Sequence, residues 1–160
     1  MIEKVVSGGQ TGVDRAALDA AFEAGFAGGG WCPRGRRAED GPISDHYPLK
    51  ETSSSDYMDR TRRNVEDSDG TLIVAHGEPT GGTLATLVHA RRIGKPVLAI
   101  DPSECIEDAA LGGITEWLDT QEIRVLNIAG SRESGHPGIY LEARNLIARL
   151  LQMMTTRRPS

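Results

Sequence analysis

The stretch Val5-Val6-Ser7-Gly8-Gly9-Gln10-Thr11-Gly12-Val13-Asp14 constrains the fold more than any other part of the chain. A β-branched run ends in Gly8, Gly9 and Gly12, and helical periodicity follows at once. Val13, Ala16, Ala17, Ala20, Ala21 and Ala24 recur on one face of a 3.6-residue period. A strand, a glycine turn and a helix converge backbone N–H groups on the space beyond the strand, where an anion can sit. Glycine suits that turn because it adopts positive φ and lacks a Cβ that would hold a ligand away. The alanine face lets the helix lie close against a sheet.

The same unit returns twice. Thr71 to Ala75 reads as a strand buried on both faces and leads into His76-Gly77-Glu78-Pro79-Thr80-Gly81-Gly82-Thr83 before a helical pattern resumes at Leu84, Leu87, Val88 and Arg91. Glu122 to Ile128 leads into Ala129-Gly130-Ser131-Arg132. Around these units the spacing predicts strands over 4–7, 26–32 and 97–101, and helices over 13–24, 57–68, near 113–120, and from Pro137 at an N1-like position. Ser54, Ser55 or Asp56 is the expected cap of the second helix, which is unusually polar and faces solvent, a subunit or a ligand. Alternating strands and helices with short connections predict an α/β fold. It is a single-domain, doubly wound, mostly parallel Rossmann-like sheet with helices on both faces, spanning 1–152 and followed by a flexible tail, 153–160. In that architecture ligands bind at the carboxyl ends of the strands, so all three glycine loops are expected on one edge.

Residues 33–55 read as one long irregular segment, and runs of that length in a compact domain are commonly functional. It holds Arg34, Arg36, Arg37, Asp45, His46, Tyr47, Glu51 and Thr52, all able to bind or cover a ligand. Arg60 and Asn64 share a face of the polar helix at i, i+4, and Arg60 can grip an anion bidentately.

Composition narrows the partners. The net charge of −5 is spread over interspersed acids and bases, leaving no basic footprint for nucleic acid. No apolar run approaches membrane-spanning length, and Met1-Ile2-Glu3-Lys4 runs directly into a strand without a leader. Cys32 and Cys105 form no disulfide or zinc pattern, which points to a reducing cytoplasm. His46, His76, His89 and His136 show no ligand spacing, so no dedicated zinc or other metal site is expected. Cys32 beside Trp31 reads as a packed thiol rather than a sulfur ligand to molybdenum. The first loop lacks the Gly-Lys-Ser/Thr of a P-loop. It also lacks the G-x-G-x-x-G order and the later acidic residue of a dinucleotide site, Trp31-Cys32-Pro33 standing there instead, so NAD is not expected.

The run Ser7 to Asp19 resembles the opening of the molybdenum carrier family. So do Pro48-Leu49-Lys50-Glu51-Thr52, Tyr57 with Arg60-Thr61 and Asn64-Val65, Ser68 to Ile73, Gly81-Gly82-Thr83 with Thr86, and Asn127 to Arg132. The likeness covers the chain up to Leu151. That family belongs to the Rossmann-like SLOG proteins, relatives of lysine-decarboxylase-like, cytokinin-activating proteins, with a permuted arrangement. The resemblance implies a cytoplasmic homo-oligomer, a dimer or tetramer, whose glycine loops bind a phosphorylated ligand. Molybdenum cofactor (a phosphate-bearing pterin), molybdate or a nucleotide derivative are the candidates, with no nucleic-acid or membrane partner.

Candidate ligand- and phosphate-binding residues are Ser7, Gly8, Gly9, Gln10, Thr11, Gly12, Asp14, Arg34, Glu51, Thr52, Arg60, Gly81, Gly82, Thr83, Thr86, Gly130, Ser131 and Arg132. The phosphoribohydrolase relatives carry P-G-G-x-G-T-x-x-E, whose glutamate serves N-glycosidic cleavage. Aligning Gly82-Thr83 on that G-T places Thr86 at the glutamate. A hydroxyl cannot act as a carboxylate base, which favours a carrier over an enzyme unless Asp14, Glu51 or Glu78 supplies the carboxylate. Nucleotide processing and a subunit-interaction domain stay open as alternatives.

Overall fold

A computed structural model describes residues 1–157. The chain runs β1 (Lys4–Val6), α1 (Val13–Glu23), β2 (Ala27–Gly29), β3 (Trp31–Cys32), β4 (Arg37–Ala38), β5 (Gly41–Pro42), β6 (Lys50–Glu51), α2 (Tyr57–Glu66), β7 (Gly70–Val74), α3 (Gly81–Arg92), β8 (Val97–Ile100), a 3-10 turn at Pro102–Glu104, α4 (Asp108–Thr120), β9 (Val125–Gly130) and α5 (Ile139–Thr156). Five strands pair in parallel in the order β2-β1-β9-β7-β8. The expected Rossmann-like α/β architecture is therefore present, with the last strand of the chain at the centre of the sheet.

Strand alternation divides the interior. Val5, Leu72, Val74, Leu126 and Ile128 face α1, α4 and α5 in the main core, whereas Ile73 and Ala75 face Leu87 of α3. In α1, Ala16, Ala17, Ala20 and Ala21 are fully buried, and this flat face seats the helix against α5. A larger side chain there overpacks the seam at a cost of about 1–3 kcal/mol.

The segment 33–55 is more ordered than its sequence suggests. β3 pairs with β6, and β4 with β5 forms a small hairpin. Leu18, Cys32, Ala38, Ile43 and Leu49 make a second core beneath them. Arg36 organises the connection. Its guanidinium donates to the carbonyls of Ile43 (2.9 Å), Leu49 (3.2 Å), Ser44 (2.7 Å) and Tyr47 (2.7 Å). One cation satisfying four carbonyls replaces the regular hydrogen bonding the segment lacks.

Several boundaries move for local reasons. Asp56 is the cap of α2, accepting from the Met58 amide at 2.9 Å. α4 starts at Asp108 and absorbs Gly112 and Gly113 within the helix. Pro137 is not at N1 of the last helix, because Gly138 (φ 95) is the cap residue. The Glu133 carboxylate takes the amides of Gly138 (2.6 Å) and Tyr140 (2.9 Å) there. α5 also runs past residue 152 to Thr156 with Met154 buried, so a tail starting at Met153 is corrected. The rest of that tail, 158–160, lies outside the described residues.

Candidate functional site

A cavity of about 280 Å³ opens at the carboxyl edge of the sheet, between the loops after β1, β7 and β9, with α2 closing one side. Gly8, Gln10 and Asp14 come from the first loop, Gly81, Gly82, Thr83 and Thr86 from the start of α3, and Gly130, Ser131 and Arg132 from the third loop. Arg60 joins them from α2. The three glycine loops thus meet on one edge, as their position after strands requires.

The first loop differs from a simple amide cradle. The Gln10 amide donates to Asp14 Oδ2 (3.2 Å), the Thr11 amide to Gln10 Oε1 (3.1 Å), and the Val13 amide to the Ser131 carbonyl (3.1 Å). Its glycines allow close packing of protein on protein. A Cβ on Gly8 would strike the Arg60 guanidinium. On Gly9 (φ 75) it would strike Leu49 and Ile43, and on Gly12 (φ 78) the backbone of Ser131 to Glu133. The start of α3 is the opposite case. Its first amides have no intrahelical acceptor, its cap residue Thr80 makes no side-chain cap bond, and a Cβ on Gly81 or Gly82 meets nothing within 4 Å. This helix terminus, with its partial positive charge, lines the cavity.

Charge around the cavity is arranged in layers. Arg60 is buried, donates from Nη1 to the Gly8 carbonyl at 2.9 Å and lies 3.7 Å from Asp14 Oδ2. The guanidinium groups of Arg37, Arg60 and Arg132 surround the Tyr57 ring at 4.6, 5.2 and 5.7 Å from its centroid. Asp14 is the single carboxylate on the wall among the described residues. Burial raises its carboxyl above the ordinary range, an effect opposed by Arg60, the Gln10 amide, Arg15 and Arg132. Gln10 is 6% exposed, and its Nε2 is buried without a hydrogen-bond partner. Such a group retains a donor for a ligand.

Other candidates sit outside the cavity. The Ser7 hydroxyl donates to the Asp14 carbonyl (2.8 Å), and the Thr11 hydroxyl binds Glu39 and accepts from the Glu133 amide. Arg34 is exposed, Glu51 accepts from the Gly35 amide (2.6 Å), and the Thr52 hydroxyl donates to the Ser54 carbonyl (2.8 Å). Gly9 and Gly12 pack internally, as above. Cys32 is fully buried in the second core, where burial pushes its thiol up. The hairpin turn rests on the back of the first loop: Arg15 grips Asp40 with bonds of 2.5 and 2.7 Å, and the Glu39 amide donates to Gln10 Oε1 (2.9 Å).

Tyr57, Met58, Thr61, Asn64, Thr80, Asn127, Ala129 and Gly135 also line the cavity. Asn64 shares the α2 face of Arg60, and its amide pairs with both backbone groups of Trp31 (2.8 and 2.9 Å), tying α2 to β3. Asn127 was visible as a polar residue in an apolar strand; its Nδ2 donates to Thr71 Oγ1 at 3.2 Å.

A model of the Circularly permutated YpsA SLOG family matches residues 5–151. Among solved structures, the crystal structure of a putative molybdenum carrier protein from Syntrophus aciditrophicus SB is similar to this chain at 45% sequence identity. The two align with a TM-score of 0.91 over 94% of this chain and 95% of that one. No curated protein matches significantly.

Proposed function

The chain belongs to the circularly permuted YpsA SLOG family, and from that premise we propose that it is a molybdenum carrier. It binds the phosphate of a pterin such as molybdenum cofactor, or an oxyanion such as molybdate, in the strand-end cavity. The start of α3 carries this reading, because Gly81, Gly82 and Thr83 line the same cavity as Arg60 and Arg132. Anions bind there through backbone donors and the helix terminus. The Thr83 hydroxyl and the unpartnered Gln10 Nε2 are further donors, and Asp14 accepts from N–H groups of a pterin ring.

The partner is a small ligand rather than nucleic acid or membrane, and the setting is the cytoplasm. Among the described residues no helix is long and apolar enough to cross a membrane. A homo-oligomer is part of the same reading, supported by exposed Leu84 and Val88 on α3 beside the edge strand β8.

A specific observation favours a second reading. Asp14, with its raised carboxyl, sits on the cavity wall where neither Glu51 nor Glu78 does. A nucleotide-processing enzyme cleaving an N-glycosidic bond would use Asp14 as its carboxylate. Protein freed of copurified ligand, incubated with molybdate, molybdenum cofactor, nucleoside monophosphates and ADP-ribose, separates the two. A thermal shift with the cofactor or molybdate and no product by chromatography supports the carrier. Release of free base or ribose phosphate, abolished by Asp14→Asn, supports the enzyme instead.

A further inference from the structure

We propose that His76, His136 and Glu142 form a site for one divalent zinc-type cation, separate from the ligand cavity and independent of its reading. The sequence offered no ligand spacing for these histidines, yet the fold collects them. His76 follows β7, Glu142 lies on the first turn of α5, 66 positions later, and His136 sits in the turn between them.

The imidazole of His76 has a carboxylate at each end. Nδ1 is 3.2 Å from Asp101 Oδ1, and Nε2 is 2.8 Å from Glu142 Oε2. Asp101 is fixed in place, accepting from the Ser103 amide (2.9 Å), the Ser103 hydroxyl (2.6 Å) and the Gly77 amide (3.0 Å). A carboxylate held this way flanks the Nδ1 side of the ring as an ion-pair partner, the kind of neighbour that supports metal-bound histidines. Nε2 meets Glu142 Oε2 at hydrogen-bond distance, a contact that holds either a proton or a metal ion between the two atoms.

His136 supplies the third donor. Its ring stacks on His76 with centroids 4.1 Å apart and planes at 24°. The ligand atoms of the three residues lie within 4.8 Å of one another. Tetrahedral zinc with bonds of about 2.0–2.2 Å needs donors about 3.4 Å apart and in the ring planes, so closure requires roughly 1.4 Å of approach and a turn of the His136 ring out of the stack. Glu142 is already 2.8 Å from His76 Nε2, so the movement falls on His136, a partly exposed residue in a turn. Two imidazoles with one carboxylate suit zinc and its neighbours, whereas calcium and magnesium prefer all-oxygen sets. His89 with Glu66 at 3.2 Å is a contrast, a lone pair with no second imidazole.

The position links the two sites. The His136 amide donates to the Arg132 carbonyl at 3.2 Å, and Gly135 lines the cavity. A cation on His136 therefore stiffens the turn that carries Arg132.

The test is titration of the metal-free full chain with zinc chloride by calorimetry, with cobalt(II) absorption reporting geometry. One zinc per chain is expected, with visible cobalt bands of a four-coordinate site. Glu142→Gln and His136→Ala, each checked for native circular dichroism, weaken zinc binding by roughly tenfold or more, and His89→Ala leaves it unchanged. Absence of saturable one-to-one binding, or native affinity in either cluster variant, overturns the proposal.

Discussion

The Nη1 of Arg60 donates to the carbonyl of Gly8 at 2.9 Å, joining residues 52 positions apart and fixing α2 to the first glycine loop. The same guanidinium stands 3.7 Å from Asp14, so one buried cation serves both the backbone of the loop and a carboxylate on the cavity wall. Arg60→Ala strips both partners. Removing one member of a buried pair costs about 3–5 kcal/mol, and urea unfolding is expected to show a loss of that size. In the double variant with Asp14→Asn the loss shrinks, because the orphaned charge is gone; simple additivity of the two changes would argue against coupling.

Asp14 sets a pH dependence. Burial raises its carboxyl in the folded chain, with Arg60 only partly opposing. A folded value above the unfolded one means the stabilising contribution is complete below the ordinary carboxylate range near 4, and is lost as pH rises through the folded value. Asp14→Asn escapes that loss. Its melting temperature relative to the native chain's is expected to rise as pH is raised from about 4 to neutral, on top of a pH-independent loss from leaving Arg60 without its partner. Scanning calorimetry across that range checks it, and a relative melting temperature that rises on acidification would reverse the sign.

The glycines divide by what a side chain would meet. Gly12→Ala collides with the Ser131 carbonyl at a positive φ and is expected to cost several kcal/mol of stability. Gly82→Val enters open space beside the cavity. It is expected to leave the melting temperature nearly unchanged while abolishing the thermal shift with molybdate or molybdenum cofactor. A Gly82→Val chain that binds as well as the native one would remove α3 from the ligand site. Gly9→Val is a poor probe of binding, since its side chain would meet Leu49 and Ile43 in the second core.

Leu84 and Val88 are each 43% exposed on α3. If they pack between subunits, Leu84→Glu with Val88→Glu yields monomers by light scattering while the circular dichroism of the chain is kept. A native chain already monomeric at high concentration would dispose of the idea.

The sequence carried the parallel sheet and the meeting of the three loops plainly, since each glycine loop directly follows an apolar strand. Gly81, Gly82, Thr83 and Arg132 were identified in their cavity positions for that reason. The packing of Gly9 and Gly12 is not legible, because a glycine needed for protein packing looks the same in sequence as one needed for a phosphate. The structural role of Arg36 is not legible in sequence, because its four carbonyl partners come from a segment without periodicity. Asn127 carried a usable signal, an amide inside a buried apolar run, since buried polar groups need partners. The His76–His136 stack carried none, as only the fold brings those turns together.

The central strand of the sheet is the last one to be synthesised. β9 separates β1 from β7, so when the first 124 residues have emerged from a ribosome the sheet is two fragments without a spine. The first glycine loop waits for the Ser131 carbonyl that takes the Val13 amide. Contacts between such distant parts of a chain form slowly and together. Nascent chains stalled before β9 should therefore be open to proteolysis, and protection should arrive in a single late step.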